Sequence, residues 1–234
     1  SMVQSPRRIH GVTTMPIGSW RSFLSNIVAL DKNFDYRHDV AYFGRTIHDG
    51  SLPWRGKMYR LTTSGCVNAP CSTSTWGVAN GGNRSATEII DDFYDYNALT
   101  GATVEVGPIT TAPSVTIDDA NKVWVFFGSG RYLSNSDKTD TAQQYLFGIK
   151  DNVMNGGCIQ ADTTNCVIDD TSAKALVNTT NSVVCVVCAT GTNQMTDSNN
   201  PTLTDVTTGA NSMVGLVQSK DGWYVKLVTA PGTS

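Results

Sequence analysis

The sequence predicts an all-β fold of short strands joined by long polar loops. Two observations carry that expectation. Only 16% of the 234 residues are charged, and Gly, Ser, Thr, Asn and Asp are abundant. These residues favour turns and extended chain, because their side chains compete with helical hydrogen bonds or tolerate positive φ. Apolar and β-branched residues, in turn, cluster in short runs between turn clusters. A chain of this length can bury a full core as one large domain or two small ones.

The expected strands are Phe23–Leu30, Val40–Arg45, Lys57–Thr63, Glu88–Tyr96, Ala102–Val106, Ser114–Ile117, Val123–Gly128, Tyr145–Lys150, Ser182–Val187 and Trp223–Val228. Weak helical character is confined to Ala173–Val177 and the stretch around Thr87–Phe93. Thr75–Ser85, Ser134–Thr141, Asp151–Thr171 and Thr190–Asn211 read as surface loops. An internal echo refines the architecture. Val40-Ala41-Tyr42-Phe43-Gly44, followed after a gap by Lys57-Met58-Tyr59-Arg60-Leu61, is matched by Val123–Gly128 and Gln144–Ile149. In each case an aromatic strand ends at Gly, and a second aromatic strand follows a loop. Gly44 and Gly128 lie 84 positions apart, about two propeller blades of ~40–45 residues. The pattern predicts a β-propeller whose blades are four-stranded antiparallel sheets, with a β-sandwich as the alternative.

Six cysteines form three close pairs: Cys66/Cys71, Cys158/Cys166 and Cys185/Cys188. In polar loops these read as local disulfides of an exported protein. A zinc site at Cys185-Val-Val-Cys188 would need more ligands than His10, His38 and His48 supply, and a haem site would need His where Ala189 stands. The net charge of −3, from 17 basic and 20 acidic residues without a block of one sign, gives no footprint for nucleic acid or an anionic membrane. No transmembrane run or signal peptide is visible. Ser1-Met2 reads as a cloning remnant, residues 3–21 as a lead-in, and 22–234 as the domain, a piece of a longer exported protein.

The strongest chemical signal is Asp31-Lys32-Asn33-Phe34-Asp35-Tyr36-Arg37-His38-Asp39. Side-chain oxygens stand at positions 1, 3, 5 and 9, and position 7 offers a backbone carbonyl. Calcium takes about six to eight oxygens at ~2.3–2.6 Å, and the odd positions of a curled loop can converge on one point. Asp31, Asn33, Asp35, Asp39 and the Arg37 carbonyl would supply five groups, with a bidentate Asp39 or a water completing the shell. Magnesium demands stricter octahedral geometry, and softer metals would want thiol or imidazole ligands. The loop differs from an EF-hand: Tyr36 occupies the usual Gly position, Tyr42 the usual Glu position, and strands rather than helices flank it. A plain polar hairpin loop, with Asp and Asn capping turns, is the competing reading.

These features resemble the C-terminal domain of PilY-type type IV pilus biogenesis proteins. Asp31–Asp39 is similar to that family's D-x-D-x-D-x-x-x-D loop, with Asn33 replacing one Asp. Tyr42-Phe43-Gly44 and Gly56–Leu61 are similar to the strands that follow it, the second written G-x-x-W-R-F-D-L. Val123–Asp151 resembles the block running from F-G-T-G-R to Q-x-x-Y-G-I-x-D, and Gly222–Leu227 resembles G-W-Y-x-x-L. The motifs run in order over residues 22–228. Arg45-Thr46 departs from the usual acidic continuation.

The resemblance implies a modified β-propeller, partial at this chain length. It implies Ca2+ held by Asp31, Asn33, Asp35, the Arg37 carbonyl and Asp39. It further implies a non-catalytic role in pilus extension, retraction and adhesion, and a place in the periplasm, on the outer surface or at the pilus tip. Minor pilins or a tip complex, and a host or abiotic surface, are the expected partners; nucleic acid and membrane embedding are not expected. Two other functions compete with this one. A quinoprotein-type propeller enzyme is suggested by Tyr96–Gly101, although the Trp that should follow is missing. A glycan-binding adhesin would use Trp54, Trp76 or Trp223. No G-x-S-x-G elbow supports hydrolysis, and Gly128–Arg131 reads as a tight turn and not a phosphate loop.

Overall fold

The computed structural model describes residues 21–48, 50, 53–63, 76–80, 83–97, 102–151, 173–188, 191–207, 209 and 211–227. The all-β expectation holds. One sheet contains β1 (Arg21–Leu24), β2 (Val28–Leu30), β3 (Val40–His48), β4 (Arg55–Thr62) and β7 (Thr87–Ile90). Its order is β1-β3-β4-β7, and β2 lies on the same side of β3 as β1, farther along the strand. The expected strand Phe23–Leu30 is therefore split. At the split, the Ser25 amide donates to the Gly44 carbonyl at 2.9 Å, and the Gly44 amide donates to Ser25 Oγ at 2.8 Å. The serine carries the ladder across a local break in regular pairing.

A second sheet runs β10 (Ser114–Ile117), β11 (Val123–Gly128), β12 (Gln144–Lys150), β16 (Gly222–Leu227), β13 (Lys174–Asn178), β8 (Asp92–Asp95) and β9 (Val104–Glu105). The two sheets thus hold five and seven strands, and β13 runs parallel to both its neighbours. The segment expected as Glu88–Tyr96 divides at Asp91. Its first half joins the first sheet as β7 and its second half joins the other as β8. Each copy of the aromatic echo supplies an antiparallel pair to its own sheet, β3 with β4 and β11 with β12.

Four expected segments are corrected. Ala173–Val177 is not helical, because Lys174–Val177 lies in the interior strand β13, where pairing on both edges overrides the helix preference of Ala and Leu. Thr87–Phe93 is likewise extended. Thr190–Asn211 is not one loop: it contains β15 (Gly191–Asp197), which forms a ribbon with β14 (Ser182–Cys188). Within Thr75–Ser85, β5 (Val78–Asn80) and β6 (Asn83–Ser85) make a small hairpin. The helix α1 (Met213–Ser219) lies outside the helical segments that the sequence predicts; Ser212 caps it by accepting from the Gly215 amide at 3.0 Å.

The two large sheets share one core. Val40, Tyr42, Met58 and Ile90 meet Val125, Phe127, Phe147, Ile149 and Tyr224 there. Each such side chain, fully buried, contributes about 1.5–3 kcal/mol. Phe93 sits edge-on to Tyr145 and Phe147, both 5.2 Å away. The far face of the seven-stranded sheet packs Trp124 and Val177 against Val217 of α1. Gly148 stands opposite Trp223 in the ladder, and a Cβ there would overlap the indole.

Candidate metal-binding loop and a buried aspartate centre

Residues 31–39 connect β2 to β3, and these two strands pair with each other. The loop is therefore closed at its base, where the Asp39 amide donates to the Leu30 carbonyl at 2.9 Å. Within it, side-chain oxygens accept from the loop's own amides. Asp31 accepts from Tyr36 at 2.8 Å and from Asp35 at 3.3 Å, and Asn33 accepts from Asp35 at 3.0 Å. Asp35 accepts from Arg37 at 2.9 Å, and Asp39 accepts from Lys32 at 2.8 Å and Asn33 at 3.3 Å. Such Asx-type bonds explain why Asp and Asn occupy these positions in a tight loop.

Four of the five expected ligand residues thus turn their side chains toward the loop backbone. Arg37 is engaged through its amide. Phe34 and Tyr36 adopt left-handed backbone, with φ of 61° and 68°. Thr63 fastens the exit from the loop: its amide donates to the Asp39 carbonyl at 2.8 Å, and its hydroxyl donates to the His38 carbonyl. Asp39 is buried, whereas Asn33 and Asp35 are exposed. Among the described residues, no three His, Cys, Asp or Glu side chains are gathered into a ready metal cluster. Backbone amides, and not a shared central point, set the direction of the loop's oxygens.

Close to this loop lies a centre that no local motif announces. Asp151, just past the end of β12, pairs through Oδ1 with Arg60 at 2.6 Å and accepts through Oδ2 from the Tyr42 hydroxyl at 2.8 Å. Both ionic side chains are almost fully enclosed, at 3% and 1% exposure. Tyr42 and Arg60 are ladder partners in β3 and β4, so one carboxylate ties the second sheet to two strands of the first. Burial, reinforced by the Asp151 charge, pushes the Tyr42 phenol well above its usual range. Lys32, in the loop, feels Asp151 too. Burial nonetheless outweighs the attraction of Asp151 and Asp39 and lowers its pKa. Lys174 is also lowered by burial, against the pull of Asp221 and Asp151. Arg60 and Asp151 both stand in recognisable motifs, but their 91-residue separation hides the pairing.

The other candidate sites have structural explanations. The Trp54 ring is stacked by His48 at 4.6 Å and covered by the Arg131 guanidinium at 4.4 Å, so its faces are already engaged. Trp223 packs beside Phe126 and over Gly148, and Trp76 is half-buried. Tyr96 and Asn97 both donate to Asn200 Oδ1, at 2.8 and 2.7 Å, which ties down a turn; residues 98–101 lie outside the described residues. In the Gly128–Arg131 turn, the Ser129 and Gly130 amides bond the Tyr145 and Pro108 carbonyls, leaving neither for a phosphate. Cys185 and Cys188 form a disulfide. The pairs Cys66/Cys71 and Cys158/Cys166 lie outside the described residues.

The model of the PilY1 β-propeller domain matches residues 9–189, well over half of the chain. The chain belongs to the PilY1 β-propeller domain family. Among solved structures it is similar to the C-terminal domain of PilY1 from Pseudomonas aeruginosa, with 21% identity and a TM-score of 0.49. That match covers 90% of this chain and 40% of the solved one. No curated protein matches. The resemblance seen in the ordered motifs is thereby borne out, and the domain is that of a type IV pilus-associated protein. No helix among the described residues is long and apolar enough to cross a membrane.

Proposed function

We propose that this PilY1 domain is a non-catalytic, calcium-binding module of a type IV pilus tip or assembly protein. Its role would be to support control of pilus extension and retraction, and surface adhesion, from the periplasm or the cell exterior. Minor pilins or the tip complex are the partners this role calls for.

The observation that supports the reading is that Asp31, Asn33, Asp35 and Asp39 all turn their oxygens back onto one nine-residue loop closed by its own paired strands. An amide hydrogen bond uses one lone pair of an oxygen, and a carboxylate has about four such sites, so capacity for a cation remains. The donors are hard oxygens, which suits calcium over softer metals. A bound cation supplies the positive charge that lets three carboxylates approach one another. Asp31, Asn33 and Asp35 would bind through side chains on the open side of the loop, Arg37 through its carbonyl, and Asp39 at the buried base. Thr63 would hold the exit strand fixed while they close. Because these groups converge fully only with the ion present, binding stabilises the folded chain.

Calorimetric titration and thermal melting test this. Calcium at 100 times its Kd should add about 2.7 kcal/mol of stability, and excess chelator should remove it. Asp35→Ala should lower affinity and make melting indifferent to chelator. Asp35 is the sharper probe, because Asp39 also holds the Lys32 and Asn33 amides and its loss would disturb the empty loop. Identical melting of the unsubstituted chain in millimolar calcium and in chelator would sink the reading.

A further inference from the structure

The β14–β15 ribbon has one engaged edge and one open edge. On the β15 side, the Met195 amide donates to the Thr204 carbonyl at 3.3 Å, and the Val206 amide donates to the Asn193 carbonyl at 3.0 Å. On the other side, β14 pairs with β15 alone among the described residues. Val183, Val184 and Val187 of β14 are 64%, 51% and 87% exposed. Val183 and Val184 are consecutive, so both faces of the strand meet water. Ser182–Cys188 contains four valines and no charged residue or proline. Such an edge invites another strand, and natural sheets guard against that with charge, proline or a bend.

Only the bend is present here. Residues three apart in a regular strand stand about 10 Å apart, yet the Cα atoms of the disulfide-linked Cys185 and Cys188 are 5.5 Å apart. On the facing strand, Asn193 lies between the pairs Cys185–Gln194 and Val187–Thr192 and adopts left-handed φ of 57°. Both strands therefore bend at one level, and the covalent link holds the bend on the open edge. A new strand laid along β14 would meet amides and carbonyls crowded far below ladder spacing. We propose that the Cys185–Cys188 disulfide is a redox lock on a self-association edge: once opened, β14 straightens and pairs antiparallel with β14 of a second copy. Charge and symmetry name the occupant. Antiparallel self-pairing sets identical segments against each other about a two-fold axis, where like charges would repel. β14 has none, and it offers no charge by which a different partner would be selected. Opening takes a dithiol, which passes two electrons and two protons to the cysteine sulfurs and closes to its own disulfide. The lock is independent of the calcium reading.

Sedimentation velocity of the full chain over a concentration series tests it, with and without dithiothreitol. A reductant also reaches Cys66/Cys71 and Cys158/Cys166, so Cys185→Ser with Cys188→Ser opens this link alone. The closed chain should stay monomeric. Both opened forms should self-associate about tenfold more tightly or better, with β14 amides gaining hydrogen-exchange protection as concentration rises. Adding Val187→Lys, at a side chain already 87% exposed, places a charge on the edge and should return the opened chain to monomer. Urea denaturation checks that each variant is folded; if the serine pair is not, Cys185→Thr with Cys188→Thr keeps β-branched strand residues and asks the same question. Opened chains that remain monomeric overturn the proposal, as does equal association of the closed chain. Association that survives Val187→Lys places the contact elsewhere and overturns it too.

Discussion

Two aspartate-centred regions lie near each other in this domain and use their carboxylates in opposite ways. In the 31–39 loop, Asp31 and Asp35 accept from backbone amides and stay in contact with water. At the sheet junction, Asp151 is enclosed and takes a guanidinium on one oxygen and a phenol on the other. Amide partners leave a carboxylate its full negative charge and spare lone pairs. An arginine partner neutralises it. The number of acidic residues is therefore a poor guide to cation binding, because what matters is which donors already hold them. Asp151 is a structural rivet, and the loop is where charge remains to be answered.

The largest expected effect breaks the rivet. Arg60→Ala removes the guanidinium that neutralises Asp151 and leaves a carboxylate inside the sheet junction. Breaking a buried pair from one side costs about 3–5 kcal/mol, a large share of the ~5–15 kcal/mol that holds a domain together. Urea denaturation should show that loss. Replacing Arg60 with Met and Asp151 with Leu, together with Tyr42→Phe so that no buried hydroxyl loses its acceptor, should recover most of it, since uncharged packing needs no compensation. A loss below about 1 kcal/mol for Arg60→Ala would mean that water reaches Asp151 and that the contrast between the two regions is false.

A smaller effect separates the two halves of the same centre. Tyr42→Phe keeps the buried ring and deletes only the hydroxyl that donates to Asp151. The expected cost is about 1.5–3 kcal/mol, the range for a hydrogen bond to a charged group. On the proposed calcium reading, affinity followed by calorimetric titration should not change, because no proposed ligand is touched. If affinity falls as well, the centre and the loop are coupled and act as one unit.

The same contrast explains what the sequence could reveal. The loop is written in nine consecutive residues, so its oxygens at positions 1, 3, 5 and 9 could be read directly, as could β10 and β11, which match the expected Ser114–Ile117 and Val123–Gly128. The rivet is assembled from Tyr42, Arg60 and Asp151, and nothing local marks them as partners. Sheet switching at Asp91 was hidden for a related reason. The apolar run continues through it, and only tertiary pairing shows that Ile90 and Phe93 serve different sheets. β13 is five residues long, too short for a strand period to outweigh helix-favouring Ala and Leu. Phe34 and Tyr36 could be read as residues, but their exposure and left-handed backbone could not.

The smallest effect sharpens the comparison from the loop's side. Tyr36 contributes no burial at 99% exposure, yet its φ of 68° carries a penalty that a residue with Cβ feels and glycine does not. The left-handed region costs such a residue about 1–2 kcal/mol, whereas glycine gives back ~0.5–1 kcal/mol through its freer unfolded chain. Tyr36→Gly should therefore raise stability by roughly 0.5–1 kcal/mol in chelator, read as a shift in the urea midpoint. Tyr36→Ala is the control: it loses the same ring but keeps the Cβ, and it should not gain. Equal stability for the Gly and Ala variants would show that the loop's backbone relaxes freely, and that its amides do not hold Asp31 in the arrangement on which the contrast with Asp151 depends.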